Sequence, residues 1–181
     1  MKLQEAEKIA SEIHGILGHH FRVLTVAGSV RRKREEVTDI DFVGIRIKES
    51  DYKFGEKSLD DAILEIDKEG AQLAKERNKH LVERFALGDK IKRFKYSDCI
   101  IDIYLANDET YETLLLIRTG SKDHNIRLTT MARGKGMKLF ASGDGLWYVD
   151  GQDNPKTMVV NTEEMILFTL LGRVPKPEDR N

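Results

Sequence analysis

Two aspartates, Asp39 and Asp41, lie on either side of Ile40 and directly before the apolar pair Phe42-Val43. Alternate residues of an extended strand project to the same face, so the two carboxylates would lie side by side. Carboxylates that close repel each other unless a cation lies between them, and hard divalent metals with oxygen ligands are the usual solution. The spacing therefore predicts a metal site.

A turn precedes these acids and a third acid follows them. Gly28-Ser29 ends the apolar segment 21–27, and such a turn lets backbone amides and a hydroxyl approach a phosphate. Asp102 lies alone within the apolar segment 100–105, where a carboxylate is costly unless it is neutralised or paired. Metal-assisted phosphoryl or nucleotidyl transfer is the chemistry that these residues predict. In the alternative interpretation, the acid pair forms ion pairs with the basic run 31–34 and Asp102 is structural.

Composition restricts the class of protein. The chain has 181 residues, 40% hydrophobic and 34% charged, which suits one unit or two small subdomains. No apolar segment approaches the roughly 20 residues that cross a bilayer, and the N-terminus lacks the apolar core of a secretory signal. The single cysteine, Cys99, cannot form an internal disulfide. We therefore expect a reducing intracellular compartment such as the cytoplasm, no secretion and no membrane partner.

The hydrophobic periodicity predicts an α+β fold, because strands and helices follow one another without a regular βαβ alternation. Predicted helices cover residues 3–18, 59–86 (as one or two helices), 109–118, 123–134 with Asp123 as a cap, and 163–171. Predicted strands cover 21–27, 39–47, 92–96, 100–105, 138–141 and 146–149, with a tight turn at Ser97-Asp98 and an extended tail from Val174.

Several motifs together resemble the X-family DNA polymerases, relatives of DNA polymerase beta within the nucleotidyltransferase superfamily. They are Gly28-Ser29-x-Arg31-Arg32, Asp39-x-Asp41, Asp102, Thr119-Gly120-Ser121 with Asn125, Lys135-Gly136, Glu163-Glu164 and Pro177-x-x-Arg180-Asn181. The resemblance implies a nucleotidyltransferase palm with a mixed β-sheet backed by helices in residues 1–108. It implies a small α/β thumb-like subdomain in residues 109–181. Because the family's lyase and helix-hairpin-helix regions would precede residue 1, a minimal palm-and-thumb form is expected.

The resemblance also implies an activity and a role for each matched residue. The expected reaction is the addition of deoxynucleoside monophosphates from dNTPs to a primer 3′-hydroxyl on primer-template or gapped duplex DNA, in short-gap filling during DNA repair. The catalytic and metal-binding residues would be Asp39, Asp41 and Asp102, holding two Mg²⁺ ions with Mn²⁺ as a substitute. The nucleotide-binding residues would be Gly28, Ser29, Arg32, Gly120, Ser121 and Asn125. Candidate DNA or phosphate contacts are Arg118, Lys122, Arg127, Arg133 and Lys135, and Arg31 is assigned to the structure.

The sequence departs from the family pattern at two places. Ile117-Arg118 stands where the family has Tyr-Phe, and Thr129 stands where many members have an arginine. Sugar preference, template dependence and fidelity therefore stay open, as does the oligomeric state. The alternatives are a template-independent or small-substrate nucleotidyltransferase and a catalytically silent DNA-binding module.

Overall fold

The computed structural model of the chain describes residues 1–48, 57–75 and 85–180. Its α-helices in this part of the chain are α1 (Leu3–Leu17), α2 (Gly28–Arg31), α3 (Leu59–Ile66), α4 (Lys68–Lys75), α5 (Tyr111–Thr119), α6 (Lys122–Gly134) and α7 (Glu163–Leu171). Its strands are β1 (Phe21–Val26), β2 (Asp39–Arg46), β3 (Ala86–Leu87), β4 (Ile91–Tyr96), β5 (Cys99–Ala106), β6 (Met137–Phe140), β7 (Gly145–Val149) and β8 (Pro155–Val160). None of the helices described is long and apolar enough to cross a membrane.

The first sheet is mixed and has the strand order β1-β2-β5-β4-β3. Strands β2 and β5 pair in parallel at its centre, and the other neighbours pair antiparallel. On one face, Ile40 and Phe42 of β2 and Ile101 and Ile103 of β5 are fully buried against a core shared with α1 and α3. The alternation of side chains therefore sends the acids of these two strands to the opposite face.

The second sheet, β6-β7-β8, is antiparallel and packs with α5, α6 and α7 around a core of its own. Leu116, Leu128 and Leu146 are fully buried in this core. A small third cluster joins the two parts, because Leu114 and Leu115 of α5 pack with Val43 of β2 and with Ala27, which follows β1. Helix α5 consequently covers the face of the first sheet that carries the acids.

The α+β class, the mixed palm-like sheet backed by helices and the small C-terminal α/β part are confirmed, whereas the boundary between residues 108 and 109 stays a prediction. Three local predictions are wrong. Residue 86, predicted as the last residue of a helix, instead begins strand β3. Helix α6 is capped by Ser121, whose Oγ accepts from His124 N, and not by Asp123. Residues 177–179 of the tail form a 3₁₀ turn. The predicted helical residues 76–84 lie outside the described part.

Candidate active site

The three aspartates come together on the face covered by α5. In the parallel pairing of β2 and β5, Asp41 lies directly opposite Asp102, and Asp39 lies opposite Ile100. Because Asp39 and Asp41 are two positions apart on one strand, all three carboxylates project to the same side of the sheet. Thr38 Oγ1 donates to Asp39 Oδ1 at 3.1 Å. The structure therefore brings the predicted acids into one cluster.

Asp102 is the most deeply buried of the three acids and the only one with a bidentate cation partner among the described residues. Its side chain is 3% exposed. Arg93, which lies opposite Asp102 on β4, donates from Nε to Oδ1 at 2.6 Å and from Nη2 to Oδ2 at 2.5 Å. The Tyr104 hydroxyl donates to Oδ2 at 3.4 Å. This pairing compensates the cost of burying the carboxylate.

Asp41 has the opposite electrostatic environment. Burial, followed by the negative charges of Asp39 and Asp102, raises its pKa to about 7, although Arg118 and Arg32 partly oppose this rise. Neither Asp39 nor Asp41 forms an ion pair within residues 1–48, 57–75 and 85–180, so the interpretation that pairs them with residues 31–34 finds no support there. The cluster therefore carries negative charge that the described cations do not fully neutralise.

The turn between β1 and α2 borders the acids. Gly28 has a φ of +58°, and a Cβ atom there would overlap Asp41 Oδ2, so only glycine fits. Ser29 Oγ is buried and makes no hydrogen bond to any described residue. Arg32 Nη1 donates to the carbonyl of Thr119, and burial together with the charge of Arg34 lowers the pKa of Arg32. The turn thus presents a free hydroxyl and a guanidinium beside the carboxylates.

A cleft of about 570 Å³ contains most of the predicted nucleotide-binding residues. It is lined by Gly28, Ser29, Arg32, Thr38, Asp39, Asp41, Tyr104, Ile117, Arg118, Gly120, Lys122, Asn125, Ile126 and Thr129. Ser121 lies outside this lining and acts as the cap of α6, and the peptide bond that joins it to Gly120 is cis. Asn125 Nδ2 donates to the carbonyl of Ile117 at 2.8 Å, which leaves Oδ1 as its unbonded atom.

The five candidate phosphate contacts do not form one group. Arg118 and Lys122 line the cleft, and the Arg118 guanidinium stacks 3.9 Å from the centre of the Tyr104 ring. Arg127 is exposed on α6. Arg133 lies about three turns further along α6 than Lys122, or ~16 Å at 1.5 Å per residue. Lys135 Nζ donates to the carbonyl of Thr169 at 2.6 Å.

Arg31 lies outside the lining of the cleft and takes part in a network of ion pairs and hydrogen bonds. It donates to Glu163 at 2.7 and 2.8 Å and to Thr119 Oγ1 at 2.7 Å, and Arg180 also donates to Glu163 at 2.6 Å. Burial acts to raise the pKa of Glu163, but the hydrogen bonds from both arginines hold it below its ordinary value. This ion triad ties α2 to the start of α7 and to the C-terminal segment.

The residues of the cluster fit divalent cations in their chemistry. Carboxylate oxygens are the ligands that Mg²⁺ prefers, and the raised pKa of Asp41 reports charge that a cation would relieve. Within the described residues, no group of three or more His, Cys, Asp or Glu side chains is arranged so that it could hold a metal ion without rearrangement. Among the described residues, Asp39 and Asp41 have no ion-pair partner, whereas Asp102 is paired with Arg93.

Comparison with known proteins agrees with this geometry. Residues 114–181 match the family model described as the DNA polymerase beta thumb. The resemblance to the X-family DNA polymerases is confirmed. The chain is also 29% identical over 140 residues to the DNA polymerase/3′-5′ exonuclease PolX of Bacillus subtilis, an alignment that covers 76% of this chain and 22% of that protein. The chain thus spans about a fifth of the length of this X-family relative.

Solved structures of a polymerase beta share the fold of this chain. Two structures of Leishmania infantum polymerase beta, a ternary P/T complex and a ternary gap complex, resemble the whole chain with TM-scores of 0.60 and 0.62. Each is 19% identical, and the chain covers 76% and 70% of them respectively. At this identity, the likeness concerns the fold.

The ion pairs of Arg93 and Glu163 were not predicted from the sequence. A signal for Arg93 was present, because a two-residue turn at Ser97-Asp98 fixes the hairpin register and places residue 93 opposite residue 102. Both turn residues have positive φ, as a type I′ hairpin requires. The pairing of Glu163 with two distant arginines had no comparable local signal.

Proposed function

We propose that the chain is a metal-dependent nucleotidyltransferase that adds deoxynucleoside monophosphates from dNTPs to the 3′-hydroxyl of a DNA primer, in short-gap filling during DNA repair. The observation that carries this proposal is the register of Asp41 opposite Asp102, with Asp39 alongside and the Gly28-Ser29 turn bordering them. The match of residues 114–181 to a polymerase beta thumb supports a polynucleotide as the acceptor.

Each part of the cleft has a task in this reaction. Asp39, Asp41 and Asp102 would hold two Mg²⁺ ions, which when bound neutralise charge that develops during an in-line displacement at phosphorus. Burial and the neighbouring acids raise the pKa of Asp41 to about 7, so a bound cation would favour its ionised form. The carboxylates thereby act as acceptor-only ligands in the loaded site.

The turn and the thumb-like part would bind the nucleotide. Ser29 Oγ has an unused donor for a phosphate oxygen, and Arg32 keeps Nη2 beyond its bond to Thr119. Arg118 places a further positive charge in the cleft. Asn125 would contact a base edge through Oδ1 or through its second Nδ2 hydrogen, since only one of its two amide N–H donors is bonded, to Ile117.

The deciding experiment is extension of a labelled primer on gapped, recessed and single-stranded DNA, with deoxy- and ribonucleotides tested separately. We expect Mg²⁺-dependent extension that is greatest on gapped DNA and is lost in Asp41→Ala. Asp89→Asn, which alters an exposed acid outside the cleft, is the matched control and should extend as the wild type does.

Other outcomes select the alternatives. Equal extension without a template would replace the template-directed proposal with a template-independent one. Affinity for DNA should fall steeply with salt if phosphate contacts dominate binding. A response independent of salt would favour a small-molecule acceptor, and wild-type extension by Asp41→Ala would refute the assignment of the acids.

A further inference from the structure

Asp102 is bound differently from the other two acids of the cluster. Both of its oxygens accept from Arg93, at 2.6 and 2.5 Å, and the side chain is 3% exposed. In contrast, the described part of the chain provides no ion pair for Asp39 or Asp41. A planar guanidinium that binds a carboxylate through two parallel hydrogen bonds fixes both its position and its rotation. Asp102 is therefore the acid whose orientation is set before any cation arrives.

This contact also places a positive charge at the edge of the cluster. The Arg93 side chain is 35% exposed, so it can leave Asp102 without breaking the core beneath it. A divalent cation that binds all three acids must share the Asp102 carboxylate with Arg93 or displace it, because both seek the same oxygens. The same charge repels the cation over a distance of a few ångströms.

Resting on the metal-dependent function proposed above, we infer that Arg93 is a positioning residue that competes with divalent cations for Asp102 and so sets the metal concentration at which the site loads. Its removal has two opposite consequences. Metal affinity rises, because a competitor and a repulsive charge disappear. Turnover falls, because Asp102 loses the partner that orients it.

The size of both effects follows from ordinary electrostatics and geometry. One unit charge beside a divalent ion in a partly solvated cleft changes its dissociation constant about tenfold. Loss of orientation at a reacting centre lowers turnover by about 10- to 100-fold. A purely structural role for Arg93 predicts another pattern, in which metal affinity and turnover fall together as the site loosens.

The test measures Mn²⁺ binding to the full chain by electron paramagnetic resonance, with Mn²⁺ alone as the probe and circular dichroism as a check of folding. Arg93→Gln should bind Mn²⁺ about tenfold more tightly than the wild type. Arg93→Lys, which keeps the charge but loses the bidentate contact, should give a smaller gain. Lys95→Gln is the matched control, since it removes one positive charge from the same strand at the exposed pair with Asp98, and should leave binding unchanged.

Competition and simple charge repulsion are separated in a second background. If Arg93 acts through the Asp102 carboxylate, Arg93→Gln should tighten Mn²⁺ binding much less in Asp102→Asn than in the wild type. Equal tightening in both backgrounds would overturn the positioning role. Unchanged or weaker binding by both Arg93 variants would also overturn it.

Primer extension by the same variants separates this inference from the proposed function. If the wild type extends primers and binds Mn²⁺, but replacing Arg93 does not change the affinity for Mn²⁺, the proposed function is supported and the inference is refuted. Tighter binding by Arg93→Gln in a chain that extends no primer would support the inference and refute the polymerase proposal. A wild type that binds no Mn²⁺ would refute both.

Discussion

Replacing Asp41 with asparagine should stabilise the metal-free protein while it abolishes activity. The pKa of this carboxyl rises from an ordinary 3.8 to about 7, chiefly because of burial and then because of Asp39 and Asp102. The folded state therefore binds a proton more tightly than the unfolded state does. As pH rises from about 4 to about 7, the free energy of unfolding falls, and the full penalty is present above pH 7.

The magnitude follows from the same values. At about 1.4 kcal/mol per pKa unit, the rise corresponds to at most ~4.5 kcal/mol. Because Asp41 retains some contact with solvent, we expect Asp41→Asn to gain about 2 to 4 kcal/mol at pH 8. The gain should fall below about 1 kcal/mol near pH 4, where the carboxyl is protonated in the folded state and about half ionised in the unfolded state.

Urea unfolding in the presence of a chelator, at pH 4, 6 and 8, provides the measurement. Asp89→Asn is the control, since this acid is exposed, and it should change the free energy of unfolding by less than about 0.5 kcal/mol. Divalent metal should stabilise the wild type and not Asp41→Asn. A stability difference that is absent at pH 8, or that is the same at every pH, would refute the reasoning.

Three further predictions concern single contacts. Gly28→Ala should lower primer extension at least about tenfold, because the new methyl group overlaps Asp41 Oδ2 at a φ of +58°; extension assays check this, and near-normal extension would contradict it. Glu163→Gln should cost about 3 kcal/mol in urea unfolding, since it leaves Arg180 buried without its carboxylate partner, and an unchanged midpoint would argue against the ion triad. Leu116→Ala should cost about 2 to 5 kcal/mol because Leu116 is fully buried, whereas a loss below 1 kcal/mol would mean that the thumb core collapses around the cavity.

Local patterns were sufficient for most elements of the fold. Helix α7 lies at the residues predicted for it, and the hairpin of β4 and β5 turns at Ser97-Asp98 as predicted. These elements depend on periodicity and turn chemistry, which short stretches of sequence contain. Strand β8 escaped prediction because it begins with Pro155 and is exposed along most of its length. An edge strand of this kind has little apolar alternation to reveal it.

The side-chain orientation of surface aromatics was harder to predict. Large aromatic side chains are usually core residues, yet Tyr148 is 47% exposed and Trp147 is half-buried. Both lie on β7, which pairs with β6 and β8. The pairing of β7 with β8 is irregular, because its register shifts at two places. Which face of this three-stranded sheet is covered depends on how α6 and α7 pack against it, and the sequence of β7 alone does not contain that tertiary contact.

For the acids, the sequence by itself determined that Asp39 and Asp41 share a face, because two residues of one strand two positions apart must do so. It also singled out Asp102 as a buried carboxylate that needs a partner. The turn at Ser97-Asp98 sets Arg93 opposite Asp102, but only the tertiary structure decided that both Arg93 donors reach this carboxylate, that the pKa of Asp41 is raised, and that Gly28 must be glycine. The physical reason is that charge compensation and steric room depend on atoms from several strands, whose distances are set when the sheet assembles.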